Sequence, residues 1–197
     1  HAAIIAHALG WLDIPQRLLE SVPNLVSFAT GVKTSFSHVA VLGMGGSSLA
    51  PDILRVTFGK VAGFPELHVL DSTDPVQIAE LEAALDLART LFVVASKSGT
   101  TTEPNAYYAY FHERVAKIVG AAKAAAHFVA ITAPGTTLAE EARVNKFLAC
   151  YENDPNIGGR YSALSFFGML PAALAGYDVK LLLDRGLGVM HANAKSA

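Results

Sequence analysis

Five short apolar runs punctuate the chain: Val39 to Leu42, Leu67 to Leu70, Leu91 to Ala95, Phe128 to Ile131 and Phe147 to Cys150. They lack the apolar/polar alternation of a strand with one wet face, so each reads as a strand buried on both faces. A helix-length segment follows each of the first four, which joins successive strands in parallel through right-handed crossovers. The alternation predicts an α/β fold, a three-layer αβα sandwich around a parallel, doubly wound, flavodoxin-like sheet of five strands. Ahead of it, residues 1–35 read as an N-terminal helical segment, broken near Gly10 and Pro15 and burying Leu18, Leu19, Val22 and Leu25. Residues 36–197 then make up the sheet domain.

With 197 residues the chain is the length of one ordinary domain. Its 15 Lys plus Arg against 17 Asp plus Glu give a net charge of −2, without the one-sided basic field that nucleic-acid binding needs. A single cysteine, Cys150, excludes an internal disulfide framework and a multi-Cys zinc site, and fits a reducing, cytoplasmic setting. As part of the fifth run, Cys150 reads as buried strand filling. The longest apolar, uncharged stretch, Tyr161 to Tyr177, contains Gly168, Pro171 and Gly176 and falls short of the roughly 20 residues a membrane span requires. It reads as a buried helix, so no membrane partner is expected. The chain opens on His1 without a leader pattern, which suggests a piece of a longer protein.

Open parallel sheets bind ligands beyond the C-terminal ends of their strands, and the unusual residues of this sequence collect there. The third run exits into Ser96-Lys97-Ser98-Gly99-Thr100-Thr101-Thr102-Glu103-Pro104. A phosphate carries about 1.5 to 2 negative charges at neutral pH. Helix N-termini offer it unpaired N–H groups, the hydroxyls of Ser96, Ser98, Thr100 and Thr101 can donate to it, Gly99 allows close backbone approach, and Lys97 brings a full positive charge. Charge-assisted hydrogen bonds contribute about 1.5 to 3 kcal/mol each, so three or four support micromolar affinity. The plainer alternative is a hydroxyl-rich helix cap, but a cap needs one or two such residues rather than six. Pro104 at a first helical position and a Thr100/Glu103 capping box give competing helix starts.

The first run exits into Gly43-Met44-Gly45-Gly46-Ser47-Ser48. Gly43 and Gly45 open a dinucleotide fingerprint, and Asp71 at the end of the second run stands where a ribose-binding acid would be, but the third glycine position is Ser48. A backbone cradle for a sugar hydroxyl or phosphate at Gly46 and Ser47 competes with that reading and with a plain glycine turn. The fifth exit, Ile157-Gly158-Gly159-Arg160-Tyr161-Ser162, pairs two glycines with a permanently charged donor fork suited to an anion or a developing enolate. A surface salt bridge is the alternative for Arg160.

Other constellations fail. His112-Glu113 lacks a second histidine at Ala116, and Leu49 breaks a hydrolase elbow at Gly45 to Ser48. His38, His68 and His127 border or sit in apolar strands and read as structural, and Tyr107, Tyr108, Tyr110 and Phe111 read as core and rim packing. No metal site and no cofactor is expected.

Taken together, the first, third and fifth exits, with Leu70-Asp71-Ser72-Thr73-Asp74-Pro75, resemble the first half of the glucose-6-phosphate isomerase family in order, separation and strand context. The resemblance covers nearly all of the chain from about residue 36, and is closest to the isomerase half of bacterial transaldolase/isomerase fusion proteins. It departs from the family at Ala50, where glycine is common, past the contacting residues. The resemblance implies a sugar-isomerase (SIS) domain in which Ser96, Lys97, Ser98, Gly99, Thr100 and Thr101 hold the substrate phosphate. It further implies that Gly46 and Ser47 touch the sugar and that Arg160 stabilises a cis-enediolate between glucose 6-phosphate and fructose 6-phosphate. The family's proton-moving glutamate, ring-opening histidine and C-terminal lysine have no counterparts here, so the resemblance implies an inactive fragment of an enzyme that is a homodimer at full length. A non-catalytic SIS domain sensing a sugar phosphate and a dinucleotide-binding domain are the alternatives.

Overall fold

In the computed structural model, which describes residues 8–194, five strands form one all-parallel sheet in the order β2-β1-β3-β4-β5. They are β1 (His38–Gly43), β2 (Glu66–Leu70), β3 (Thr90–Ala95), β4 (Phe128–Thr132) and β5 (Ala149–Glu152). Every residue of β3 and β4 is buried, as is all of β1 after His38. Continuous apolar runs do become strands covered on both faces. The two edge strands, β2 and β5, are only partly covered.

Nine helices are described: α1 (Ile14–Leu19), α2 (Val22–Ser35), α3 (Leu49–Phe58), α4 (Pro75–Ala84), α5 (Thr102–Val119), α6 (Ala121–Ala124), α7 (Thr137–Val144), α8 (Phe166–Leu174) and α9 (Val179–Asn193). One face of the sheet presents Val39, Val41, Leu67, Leu91, Val93, Val129 and Ile131 to a core shared with α1, α2, α8 and α9. The other presents Ala40, Leu42, Leu70, Phe92, Val94, Phe128 and Ala130 to α5, α6 and α7. This is the three-layer αβα architecture expected. On the second face Phe92 stacks between Phe111 and Phe128, at 4.7 and 5.3 Å between centroids; truncating one such ring to alanine costs about 3 to 5 kcal/mol.

Leu18, Val22 and Leu25 are buried as their spacing predicts, whereas Leu19 is only partly buried. The helix boundary differs, because Pro15 does not break the segment. It sits in the first turn of α1, where a missing N–H costs nothing, and the chain breaks instead at Glu20 and Ser21. Residues 1–7 of the expected helical segment lie outside the described residues. Within the stretch from Tyr161 to Tyr177, only Phe166–Leu174 is α-helical, as α8, with every residue from Phe167 to Leu174 buried.

Two expectations at the fifth strand need correction. The strand is Ala149–Glu152 rather than Phe147 to Cys150. Phe147 ends the turn after α7, its N–H donating to Ala142 O, and its ring packs against Tyr108 and Phe128. Cys150 is exposed, not buried, because β5 is an edge strand with one side open. His127 is structural as expected: it is buried, with Nδ1 3.0 Å from the carbonyl oxygen of Thr90.

Candidate functional site

In this strand order the chain leaves β1 toward β2 on one side, while β3 lies on the other. The helices that follow β1 and β3, α3 and α5, therefore depart to opposite faces, and the loops beyond these two strands flank a crevice of the kind in which open α/β sheets bind ligands. Ser47 and Ser96 lie in those loops.

The loop after β3 is tied down from both ends. The Ser96 N–H donates to Ile131 O at 3.0 Å and Lys97 O accepts from Ala133 N at 3.0 Å, so the loop continues the β3–β4 pairing. Gly99 has φ +68°, and a Cβ there would lie 2.7 Å from Thr136 Cβ. Gly99 O accepts from Thr137 Oγ1 at 3.0 Å and from Asn105 Nδ2 at 3.4 Å. The hydroxyls form a chain, Ser96 Oγ donating to Thr101 Oγ1 at 3.0 Å and Thr100 Oγ1 to Ser98 Oγ at 3.0 Å. Thr101 is the N-cap residue of the 18-residue α5. Neither expected start holds: Pro104 is the third helical residue, and Thr100 bonds Ser98 instead of closing a capping box with Glu103. The Thr101 side chain makes no capping hydrogen bond to this helix end. Its N–H groups and dipole thus face the same hydroxyl cluster, an anion-binding arrangement. Lys97 is half-buried and, among the described residues, makes no ion pair.

The loop after β1 meets the segment after β5. Gly45–Ser47 and Gly159–Tyr161 are each a single turn of 3-10 helix. They cross where a Cβ on Gly46 would lie 2.2 Å from Gly159 O. Ser162, buried, clamps the crossing by donating to Gly46 O and Gly159 O at 2.9 and 2.8 Å. Arg160 is exposed beside it, and takes part in no ion pair among the described residues, contrary to the salt-bridge alternative. Ser48 fills the third-glycine position of the dinucleotide pattern. It is buried and donates to Gly45 O at 3.0 Å and Asp71 Oδ2 at 3.3 Å.

The N-terminal segment holds the Arg160 loop from outside. Arg17 Nη2 donates to Asp154 Oδ2 at 2.7 Å and to Gly10 O at 2.9 Å, Gly10 N donates to Asn156 O at 3.1 Å, and Trp11 stacks on Tyr161 with centroids 5.0 Å apart. Burial alone would raise the Asp154 carboxyl, but the Asn156 N–H and the Arg17 guanidinium outweigh it and hold the group below its ordinary value.

The fold thus brings Gly46 against the Arg160 loop and ties Ser96, Lys97, Ser98, Gly99, Thr100 and Thr101 into one loop. Sequence reasoning missed Thr136, Thr137 and Ser162, which hold these loops. Thr136 and Thr137 follow Pro134-Gly135 at the fourth exit, where turn residues before a helix signal a cap, and Thr136 is indeed the N-cap of α7. No sequence signal marks Ser162 as the clamp.

A family model for phosphoglucose isomerase matches residues 18–196. A curated glucose-6-phosphate isomerase from Synechococcus sp. is 34% identical over 182 residues, which cover 87% of this chain and 34% of that protein. Among solved structures, a hypothetical protein from Thermus thermophilus superposes with a TM-score of 0.85 at 31% identity, covering 93% of this chain and 43% of the other. A glucose-6-phosphate isomerase from Chlamydia trachomatis superposes with a TM-score of 0.77 at 30% identity, covering 87% and 33%. The chain spans about a third of the length of the first of these relatives.

Proposed function

The chain belongs to the phosphoglucose isomerase family, and on that premise we propose that it supplies the phosphate loop and the anion-stabilising arginine of a glucose-6-phosphate isomerase. The observation that carries the reading is the uncapped start of α5 enclosed by the linked hydroxyls of Ser96, Ser98, Thr100 and Thr101, with Lys97 unpaired among the described residues. Those donors replace water around a phosphate dianion. Gly46 and Ser47 lie beside the sugar chain, with Gly46 bringing bare backbone to it.

In the reaction a base removes the proton at C2 of the open-chain aldose, or at C1 of the ketose, and negative charge grows on the oxygens of a cis-enediolate. Arg160, held by the Gly46–Gly159 crossing, stabilises that charge. A preorganised donor aimed at developing charge is worth about 3 to 4 kcal/mol of barrier. The base itself, worth roughly 10² to 10⁴ in rate, comes from outside this chain. The full-length enzyme is a cytoplasmic homodimer in this reading, with no nucleic-acid or membrane partner. No helix among the described residues is long and apolar enough to cross a membrane.

Calorimetric titration of fructose 6-phosphate into the chain tests the proposal, with Lys97→Ala alongside and NADH as a control. Binding that weakens at least tenfold in Lys97→Ala, with NADH silent, supports it. Binding of NADH by a folded protein that ignores fructose 6-phosphate overturns it in favour of a dinucleotide site.

A further inference from the structure

At the opposite end of the sheet from the phosphate loop, three potential metal ligands converge. Glu66 and His68 are two apart on β2, so their side chains leave the same face. His38 on β1 is directly paired with Glu66, which places it on that face too. His38 Nδ1 and His68 Nε2 are 3.1 Å apart, and one ligating atom from each of His38, Glu66 and His68 lies within 4.8 Å of the other two.

We propose that His38, Glu66 and His68 form a binding site for a borderline divalent transition metal such as Zn²⁺, clipping edge strand β2 to β1. Two imidazoles and one carboxylate are a donor set for this class of ion, whereas Mg²⁺ and Ca²⁺ select all-oxygen sites. With metal–nitrogen distances near 2.0 to 2.1 Å, adjacent tetrahedral ligands stand about 3.3 Å apart. The two imidazole nitrogens are already close to that. In the metal-free pair one ring donates to the other; coordination moves that ring's proton to its second nitrogen, so both rings ligate as neutral imidazoles.

The carboxylate is the movable member. Glu66 is partly exposed and pairs with Lys60 Nζ at 3.1 Å, so metal must win Glu66 from Lys60. Arg55, the other nearby cation, is engaged by Asp52 at 2.7 Å. With three protein ligands, the fourth position is left to water. Such a site lies away from the sugar-phosphate chemistry and acts on the sheet edge, stabilising the folded chain in proportion to free metal over Kd.

The test is titration of the chelator-stripped 197-residue chain with Zn²⁺, by calorimetry and thermal unfolding, and with Co²⁺ by visible absorption. The expected result is one equivalent of Zn²⁺ bound at micromolar concentration, a raised Tm reversed by chelator, and an intense four-coordinate Co²⁺ spectrum. His38→Gln and His68→Gln are each expected to lose at least tenfold in affinity, and His191→Gln, at the exposed end of α9, none. Lys60→Ala frees Glu66 and is expected to tighten binding about twofold to fivefold, the worth of one exposed ion pair. Absence of stoichiometric Zn²⁺ binding, equal binding by folded His38→Gln or His68→Gln, or equal affinity for Mg²⁺ overturns the proposal. Should both histidine variants fail to fold, unchanged affinity in Lys60→Ala overturns it and tightening supports it.

Discussion

Gly46 and Gly159 cross backbone to backbone, and the crossing is one-sided: a Cβ on Gly46 would lie 2.2 Å from Gly159 O, whereas one on Gly159 would lie 3.5 Å from Gly46 Cα, an ordinary contact. Only one of the two positions demands glycine for space. The crossing brings the turn after the second strand in the sheet order against the segment that follows the far edge strand, and so carries Arg160 from one side of the sheet to the other.

Gly46→Ala is therefore expected to push the Gly159–Tyr161 turn away, costing about 1 to 3 kcal/mol as overpacking does, and to break the Ser162 clamp. Gly159→Ala is expected to stay within about 1 kcal/mol of the native chain. Denaturant unfolding of the two variants side by side measures the difference; equal stability would remove the crossing as a constraint.

Gly99 carries both strain and contact. Alanine there would adopt φ +68°, at about 1 to 2 kcal/mol, and would press its methyl within 2.7 Å of Thr136 Cβ. Gly99→Ala is expected to weaken fructose 6-phosphate binding at least tenfold. Gly120→Ala shares the positive φ (+88°) but meets nothing within 4 Å, so it should lose stability without losing affinity. A Gly120 variant that binds as poorly as the Gly99 variant would show that the loop is not the site.

The 197-residue chain alone is expected to bind fructose 6-phosphate and not to isomerise it, because the role proposed for Arg160 is to stabilise charge and not to move a proton. A coupled assay at high protein concentration checks this. Turnover abolished by Arg160→Ala would place the base within this chain.

Asp154 has a depressed pKa in the folded chain. A group of this kind contributes stability above its unfolded value, near 3.8, and loses it as pH falls through the folded value. Asp154→Asn is expected to be less stable than the native chain at neutral pH, with the gap closing below about pH 4. A gap that is constant from pH 7 to pH 3 would remove the linkage.

The five apolar runs specify the layers because continuous burial of both strand faces has few other solutions, and four of the five strands stand where the runs are. β5 differs because an edge strand needs only one apolar side, which let Phe147 leave the strand for the core on the α5 face. The same openness exposes Cys150.

By itself the sequence determined the sheet, the loops that carry polar residues, and the composition of the Ser96–Thr101 loop, because these depend on hydrophobic period, glycine and hydroxyl chemistry that are local in the chain. Only the tertiary structure decided that Gly46 meets Gly159 across 112 intervening positions, that Thr136 and Thr137 brace Gly99, and that His38 reaches His68. Those contacts join residues from separate strands and loops, and their partners are chosen by strand order and register, which no local pattern encodes.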